Sequence, residues 1–264
     1  MKENLPKFLV ELSDKRNIIL LNKLKETFEA DEFSFAAPCD YGSEIEAVIF
    51  SPARKLCVPE VEKLPPARTV VGGSQSNEIF DALGKRNITY VNLLENEAYA
   101  VKNAKLTAEA ALSLVIAATD KSIYENDILI LGCGRVGKAT ALLFGRLGVK
   151  VSIATFNKDE FAACALYADK AFFEYGFSKY IQDYDVIINT IPNLILDGGI
   201  LEKIKPETII LELASVNCLD KDKIGGCQFQ YIPAPGLPAK YSAAAAANLI
   251  LDIIIKQWKK ENGN

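Results

Sequence analysis

Residues 127 to 137 read Asp127-Ile-Leu-Ile-Leu-Gly-Cys-Gly-Arg-Val-Gly137, an apolar run that leads into three spaced glycines. The run predicts a buried strand, and the glycines predict a tight turn that opens a helix. In this pattern Gly132 permits the turn, Gly134 lets a pyrophosphate approach the backbone, and Gly137 lets the helix pack closely. We therefore expect a dinucleotide site here, with Arg135 and Val136 at the start of the helix.

Short apolar runs alternate with helical patterns on both sides of this segment, which is typical of parallel sheets covered by helices. Before it we predict strands at 8–12, 47–50, 69–71 and 88–91, with helices at 18–28 and 77–84. The glycine segment supplies a strand at 128–131, and after it we predict strands at 149–154, 186–189, 208–213 and 229–232, with helices at 138–147 and 159–166.

Two long helices complete the predicted organisation. An alanine-rich helix over 96–119 should connect two domains through a buried stripe formed by Ala108, Ala111, Leu112, Val115 and Ile116. Ser242 should cap a second helix, over 242–260. We expect an α/β protein with residues 1–97 as the first domain, completed by 242–260, and residues 98–241 as a Rossmann domain with a doubly wound parallel sheet.

Composition excludes several functional classes. The chain has 264 residues, no histidine and a formal net charge of -4, so acid/base catalysis by imidazole is excluded and nucleic-acid binding is disfavoured. The six cysteines form no Cys-x-x-Cys pair, so we expect buried free thiols and no metal site. Neither a signal-peptide pattern nor a membrane-length apolar run is present, and we expect a cytoplasmic protein that makes no membrane contact.

The end of the strand at 149–154 bears on the choice between NAD and NADP, because NAD-binding folds usually place an acid there to bind the ribose. The strand is followed by Thr155, Phe156, Asn157 and Lys158. Without an acid, a 2′-phosphate would not be repelled, and Thr155, Asn157 and Lys158 could bind it. The sequence therefore favours NADP over NAD.

Ligands of open parallel sheets bind beyond the carboxyl ends of the strands, so the loops that follow the later strands are candidate sites. Three such loops are distinctive because they are rich in proline or small polar residues. Their candidate residues are Thr190, Ile191, Pro192 and Ala214 for the cofactor, and Ser215, Asn217, Pro235 and Gly236 for a substrate.

Several of these segments resemble the A chains of dipicolinate synthases, which are sporulation oxidoreductases. The resemblance rests on Ile188–Pro192, Ile210–Ser215 and Ala234–Pro238, and on Phe8–Arg16, which carries Glu-Leu-Ser where a glycine pair is usual. It also includes Asn103, Thr107 and Glu109. Two positions depart from the family: its Arg-Pro-Gly-Gly is Val216–Leu219 here, and its Pro-Lys-Thr is Ala243–Ala245. The chain is also short after Phe50.

The resemblance implies a flavodoxin-like first domain, a Rossmann domain and nicotinamide-dependent dehydrogenation of a dihydrodipicolinate-type ring dicarboxylate. It also implies a flavoprotein-like B chain as partner, and we expect a homo-oligomer. Glu109 is our candidate for proton transfer or for holding a ring nitrogen. Candidate substrate contacts are Asn103, Thr107, Ser215, Asn217, Lys240 and Ser242, the last at a helix N-terminus that favours anions.

Two alternative functions stay open. A relative that binds NAD(P) without catalysis could act as a sensor or as part of a complex, since both departures from the family remove polar or cationic groups. Another dehydrogenase with the same two domains is the second alternative. A hydroxyacid-type enzyme usually needs an Arg, Glu and His set, which a chain without histidine lacks, and a shikimate-type enzyme needs a Lys and Asp pair that the sequence does not reveal.

Overall fold

A computed structural model describes residues 5–36, 41, 45–219 and 228–263, and all structural statements below concern these residues. Five parallel strands form the first sheet, in the order β2-β1-β3-β4-β5 that flavodoxin-like sheets have. The strands are β1 (Lys7–Glu11), β2 (Glu29–Phe33), β3 (Ile45–Ile49), β4 (Ala67–Gly72) and β5 (Thr89–Asn92). The helices among them are α1 (Lys15–Lys25), α2 (Val58–Glu62) and α3 (Asn77–Lys85).

Six parallel strands form the second sheet, in the order β11-β10-β9-β6-β7-β8. The strands are β6 (Asp127–Leu131), β7 (Lys150–Thr155), β8 (Lys170–Phe173), β9 (Val186–Asn189), β10 (Ile209–Glu212) and β11 (Gln230–Pro233). From β8 to β11 this is the strand order of a doubly wound dinucleotide-binding fold, with β6 at the point where the order reverses. The predicted two-domain α/β fold class, flavodoxin-like and then Rossmann, is confirmed.

The remaining helices flank or follow these strands. They are α4 (Glu97–Ala118), α5 (Arg135–Arg146), α6 (Lys158–Cys164), α7 (Gly198–Leu201), α8 (Leu237–Tyr241) and α9 (Ala243–Glu261). Short 3-10 turns lie at Ile123–Glu125, Glu174–Lys179 and Ile181–Asp183. None of the helices in the described ranges has the length and apolar character required to cross a membrane.

The chain forms two compact units, residues 1–103 with 238–264 and residues 104–237, and the division falls within α4. In the first unit α1 and α9 pack on one face of the sheet, where Leu20 and Ile250 are fully buried. Residues of α2 and α3 cover the other face. In the second unit each face of the sheet has its own apolar core, one of which includes Phe144 of α5.

Three details differ from the sequence-based expectations. In α4, Ala108, Ala111 and Val115 are buried as predicted, but Ile116 is 54% exposed, so the buried stripe does not extend to it. Ser242 precedes α9, yet its side chain makes no capping hydrogen bond. Cys57 is exposed, whereas Cys133, Cys164 and Cys218 are buried free thiols, and Cys39 and Cys227 lie outside the described residues.

Candidate functional site

The glycine turn between β6 and α5 has the geometry that the sequence predicts. Gly132 adopts a φ of 106°, a left-handed conformation that side chains disfavour, and a Cβ there would lie 2.3 Å from Thr190 Oγ1. A Cβ on Gly137 would lie 2.0 Å from the carbonyl oxygen of Gly132. Both positions therefore need glycine so that the turn can form and α5 can pack against it.

Gly134 differs from the other two glycines because a Cβ built on it would have no neighbour within 4 Å. Its conformation is ordinary for any residue, with φ at -73°. The protein's own packing thus gives no reason for glycine at this position. The open space lies at the N-terminus of the twelve-residue helix α5, where backbone N–H groups and the helix dipole favour an anion.

A cleft of about 470 Å³ opens at this turn, beyond the carboxyl ends of β6, β7 and β9. Nine of the twelve predicted cofactor residues line it: Gly132, Gly134, Arg135, Val136, Thr155, Asn157, Thr190, Ile191 and Pro192. The other three, Gly137, Lys158 and Ala214, do not line the cleft, although Gly137 packs against the carbonyl group of Gly132 in the turn. The open position at Gly134 leaves room for the diphosphate of a dinucleotide cofactor, and Val136, Phe156 and Ile191 add apolar surface to the cleft.

Residues that sequence reasoning did not select also line the cleft: Cys133, Phe156 and Glu160. Burial and the neighbouring Cys164 thiol raise the pKa of Cys133 to about 12, so this thiol stays protonated at neutral pH. Glu160 lies in α6, where its Oε2 accepts a hydrogen bond from Thr155 Oγ1 at 3.2 Å. The sequence gives little indication of Glu160, because it lies in α6 and not at the end of β7. Whether its side chain reaches the cleft depends on where α6 begins.

Loops after β9 and β10 are joined by the buried carboxylate of Glu212, which is only 1% exposed. Its Oε1 accepts hydrogen bonds from Asn189 Nδ2 at 2.7 Å and Ala214 N at 3.0 Å, and its Oε2 accepts from Cys218 N at 2.6 Å. The carboxylate therefore fixes Ala214 relative to the strand end that leads into Thr190. The sequence motif contained Glu212, but its role depends on contacts that only the fold reveals.

The predicted substrate residues after β10 and β11 have varied surroundings. Ser215 is exposed, and Asn217 is half-buried with its Oδ1 accepting from Tyr231 OH at 3.1 Å. Pro235 is exposed beside Gly236, which has a φ of 69°. The Val216–Leu219 segment buries Cys218 and Leu219, so it adds apolar contacts here.

On α4, Asn103 and Thr107 lie one turn apart and share a face, where Thr107 is buried. Glu109 is exposed and lies on another side of the helix, so it does not accompany them. Lys240 is exposed in α8, and Ser242 is half-buried before α9. None of these five residues lines the described cleft.

A second polar cluster lies at the carboxyl ends of β1 and β3 in the first unit. Asp14 Oδ2 accepts from Arg16 Nη2 at 2.7 Å and from Ser51 Oγ at 2.7 Å, and Arg16 is 5% exposed. Burial alone would raise the pKa of Asp14, but the hydrogen bonds from Arg16 and Ser51 lower it below its ordinary value. Asp14 Oδ1 also accepts hydrogen bonds from the backbone N–H groups of Arg16 and Asn17, so the cluster caps the start of α1. Within the described parts of the chain, no group of acidic and cysteine side chains could hold a metal ion.

Comparison with known proteins gives a consistent result. No family model matches the chain. The A chain of dipicolinate synthase from Bacillus subtilis (strain 168) is 28% identical over 226 residues, which are 81% of this chain and 73% of that protein. The predicted resemblance to dipicolinate synthase A chains is confirmed.

Two solved structures share the fold. The A chain of dipicolinate synthase from Bacillus halodurans has a TM-score of 0.82 and 23% identity, over 96% of this chain and 97% of that chain. D-lactate dehydrogenase from Escherichia coli has a TM-score of 0.69 and 14% identity, over 98% of each chain. The order of elements is therefore shared along almost the whole length of each pair.

Proposed function

From the similarity to the A chain of dipicolinate synthase, we propose that this chain is an NAD(P)-dependent oxidoreductase acting on a dihydrodipicolinate-type ring dicarboxylate. The observation that carries the proposal is the open position at Gly134, at the mouth of the cleft and the N-terminus of α5. A diphosphate is the ligand that such a turn is built to accept. The sequence similarity supports a dehydrogenase-like role for the same site.

The proposed reaction converts a dihydropyridine dicarboxylate and NAD(P)⁺ into dipicolinate, NAD(P)H and a proton. A bound nicotinamide supplies the hydride acceptor, at its C4 atom. Because the product ring is aromatic, the protein needs mainly to orient the donor carbon, exclude water and release one proton. Within the second unit, the backbone at Gly132–Gly137 would hold the diphosphate, and Thr190, Ile191, Pro192 and Ala214 would border the nicotinamide end.

We assign the substrate carboxylates to groups near the ends of the later strands and the following helices. Lys240 brings a positive charge, and Ser242 stands at the N-terminus of α9 with no capping bond made by its hydroxyl. Glu109, an exposed carboxylate of α4, is the proposed proton acceptor. The other proposed contacts are Asn103, Thr107, Ser215, Asn217, Pro235 and Gly236.

The proposal also includes a partner. Dipicolinate synthase A chains imply a flavoprotein-like B chain, and we propose the same class of partner here, along with self-association of this chain. Either association would be visible by size-exclusion chromatography with light scattering.

A second candidate function is NAD(P) binding without catalysis. The observation in its favour is the Val216–Leu219 segment, which turns Cys218 and Leu219 into the core and presents no cation to an anionic substrate. The third possibility, another two-domain dehydrogenase, is supported by the fold shared with D-lactate dehydrogenase. The lack of histidine argues against a hydroxyacid-type mechanism.

The test is to mix the purified chain with freshly prepared dihydrodipicolinate and NAD⁺ or NADP⁺, with and without a candidate B chain. We expect the absorbance of reduced nicotinamide to rise, and Glu109→Gln and Lys240→Ala to slow turnover about tenfold or more. Unchanged turnover in both variants would show that their roles are assigned wrongly. Cofactor binding without any turnover would favour the non-catalytic function.

A further inference from the structure

We infer that Glu160 selects NAD over NADP, by accepting hydrogen bonds from the ribose hydroxyls of NAD and repelling the 2′-phosphate of NADP. The inference rests on the proposed nicotinamide site and reverses the preference that the sequence of the β7 end suggested. Glu160 is an acid that lines the cleft but comes after the strand end, inside α6. In NAD-binding folds the acid that binds the ribose hydroxyls usually lies at the end of a strand, whereas Glu160 lies in a helix.

Thr155 and Asn157, which the sequence suggests as contacts for a 2′-phosphate, instead hold Glu160 in place. Thr155 Oγ1 donates to Glu160 Oε2 at 3.2 Å and accepts from Asn157 N at 3.2 Å. Asn157 Oδ1 caps α6 by accepting from the backbone N–H groups of Asp159, at 2.9 Å, and Glu160, at 3.3 Å. These bonds use the Thr155 proton and the Asn157 oxygen, and they turn the carboxylate towards the end of β7.

The charges around the cleft favour a ribose with free hydroxyls. Of the residues that the structure describes, two with charged side chains line it, Arg135 at the start of α5 and Glu160 in the first turn of α6, whereas Lys158 is exposed and does not line it. Arg135 begins the helix that faces the diphosphate, so it should serve both cofactors alike. The 2′-phosphate of NADP would lie next to the Glu160 carboxylate. Two neighbouring groups that both carry negative charge repel each other, so NADP would bind more weakly than NAD.

Ribose recognition also requires that the Glu160 carboxylate can accept further hydrogen bonds. A carboxylate has about four acceptor positions, and among the described residues the Thr155 hydroxyl occupies one of them. Glu160 is half-buried and lines the cleft, so a ligand bound in the cleft can reach it. Hydrogen bonds from sugar hydroxyls to such a group are worth about 10-fold or more in affinity.

The experiment titrates the chain of residues 1–264 with NADH and NADPH, following the fluorescence of the reduced nicotinamide. We expect the wild-type chain to bind NADH about tenfold or more tightly than NADPH. Glu160→Gln should bind NADPH about tenfold more tightly than the wild type does, and NADH less tightly. Arg135→Ala should weaken both cofactors by similar factors.

Asp159→Asn is the matched control. Asp159 is in the same turn of α6, it is exposed and it does not line the cleft, so this variant makes the same change of charge one residue away. We expect it to leave the ratio of the two dissociation constants within about twofold. If Asp159→Asn changes the ratio as much as Glu160→Gln does, the effect is one of net charge and the inference is wrong.

The outcomes separate the inference from the proposed function. Wild-type binding of NADPH that equals or exceeds that of NADH would overturn the role of Glu160 and leave the nicotinamide site intact. Binding of neither cofactor would overturn the proposed function itself, and the inference with it. If Glu160→Gln fails to fold, Thr155→Val tests the same contact, and it should shift the ratio towards NADPH by a smaller factor.

Discussion

Single residues decide whether the second unit can accept a dinucleotide. Three glycines occupy one turn, yet the structure gives them different tasks. Gly132 and Gly137 are required by the fold, because side chains there would meet Thr190 Oγ1 and the Gly132 carbonyl oxygen. Gly134 is not required by the fold, because a side chain there would meet nothing in the protein. Its smallness is therefore expected to serve a ligand.

This difference leads to a paired prediction at the residue scale. Gly134→Ala should lower the free energy of unfolding by no more than about 1 kcal/mol, the usual cost of alanine at a helix N-cap, while weakening NADH binding about tenfold or more. Gly132→Ala should lower the free energy of unfolding by about 1–3 kcal/mol, because it combines backbone strain with a steric clash. Urea unfolding and cofactor titration check both variants. Unchanged NADH binding in Gly134→Ala would contradict our assignment of the diphosphate position.

Glu212 is a second residue on which the region around the cleft depends, because it holds the loops after β9 and β10 together. Because its two oxygens accept three hydrogen bonds, Glu212→Gln should place an amide NH₂ against a backbone or side-chain N–H. We expect the free energy of unfolding to fall by about 1–3 kcal/mol, and cofactor affinity to fall as the loops after β9 and β10 loosen. Chemical denaturation and NADH titration measure the two effects. A Gln variant as stable as the wild type would show that the buried carboxylate does not hold these loops.

At the scale of elements, one hydrogen bond and two ion pairs of Asp185 connect the starts of the neighbouring strands β6 and β9. Asp185, just before β9, accepts from Asp127 N at the start of β6 at 3.0 Å. It also forms ion pairs with Lys121 at 2.7 Å and Lys205 at 2.8 Å. Burial by itself would raise the pKa of Asp185, but the hydrogen bonds from Lys121 and Lys205 lower it from 3.8 to about 2. The carboxylate thus ties β6, β9 and the segment before β10.

The lowered pKa makes a prediction about pH. A depressed carboxylate pKa adds stability that is present above the unfolded value, near 4, and is lost as the pH falls through the folded value, near 2. Asp185→Asn should therefore lower the free energy of unfolding at pH 7 by about 1–2 kcal/mol, since both lysines are partly in contact with solvent, which screens part of the interaction. The difference from the wild type should narrow between about pH 4 and pH 2. Urea unfolding at a series of pH values measures it, and a constant difference would contradict the role of the ion pairs.

At the scale of the whole molecule, the chain crosses from one unit to the other within α4 and crosses back at residue 238. The last helix, α9, is consequently part of the first unit although it follows the second in sequence. It contributes Ala247, Ile250 and Ile254 to the core on the α1 side of the first sheet. Trp258, the only tryptophan of the chain, packs edge-on against Phe28, with ring centroids 5.5 Å apart.

This return of the chain leads to a prediction about folding. Ile250→Ala should lower the free energy of unfolding of the first unit by about 2–5 kcal/mol, because it leaves a cavity where a fully buried side chain stood. The fluorescence of Trp258 during urea unfolding reports on the same unit. Asn248→Ala, at an exposed position of α9, is the control and should change stability by less than about 0.5 kcal/mol. Equal effects of the two variants would mean that α9 does not complete this core.

Buried strands were predictable because their sequences are nearly continuous apolar runs. The four strands β3, β6, β9 and β10 lie inside their sheets, where both faces are covered by helices. The missed strands β2 (Glu-Ala-Asp-Glu-Phe) and β8 (Lys-Ala-Phe-Phe) lie at sheet edges. An edge strand has one open side and tolerates charged residues, so its pattern resembles a loop.

The sequence by itself determined the fold class, the position of the glycine turn and most of the residues around the cleft. Those features depend on local signals: apolar runs, glycine spacing and loops that must follow strand ends. Only the tertiary structure decided that Glu160 lines the cleft, that Glu212 joins two loops, and that Glu109 does not line the cleft. Each of these depends on where a side chain points after helices are capped and strands are paired, and no short window of sequence contains that information.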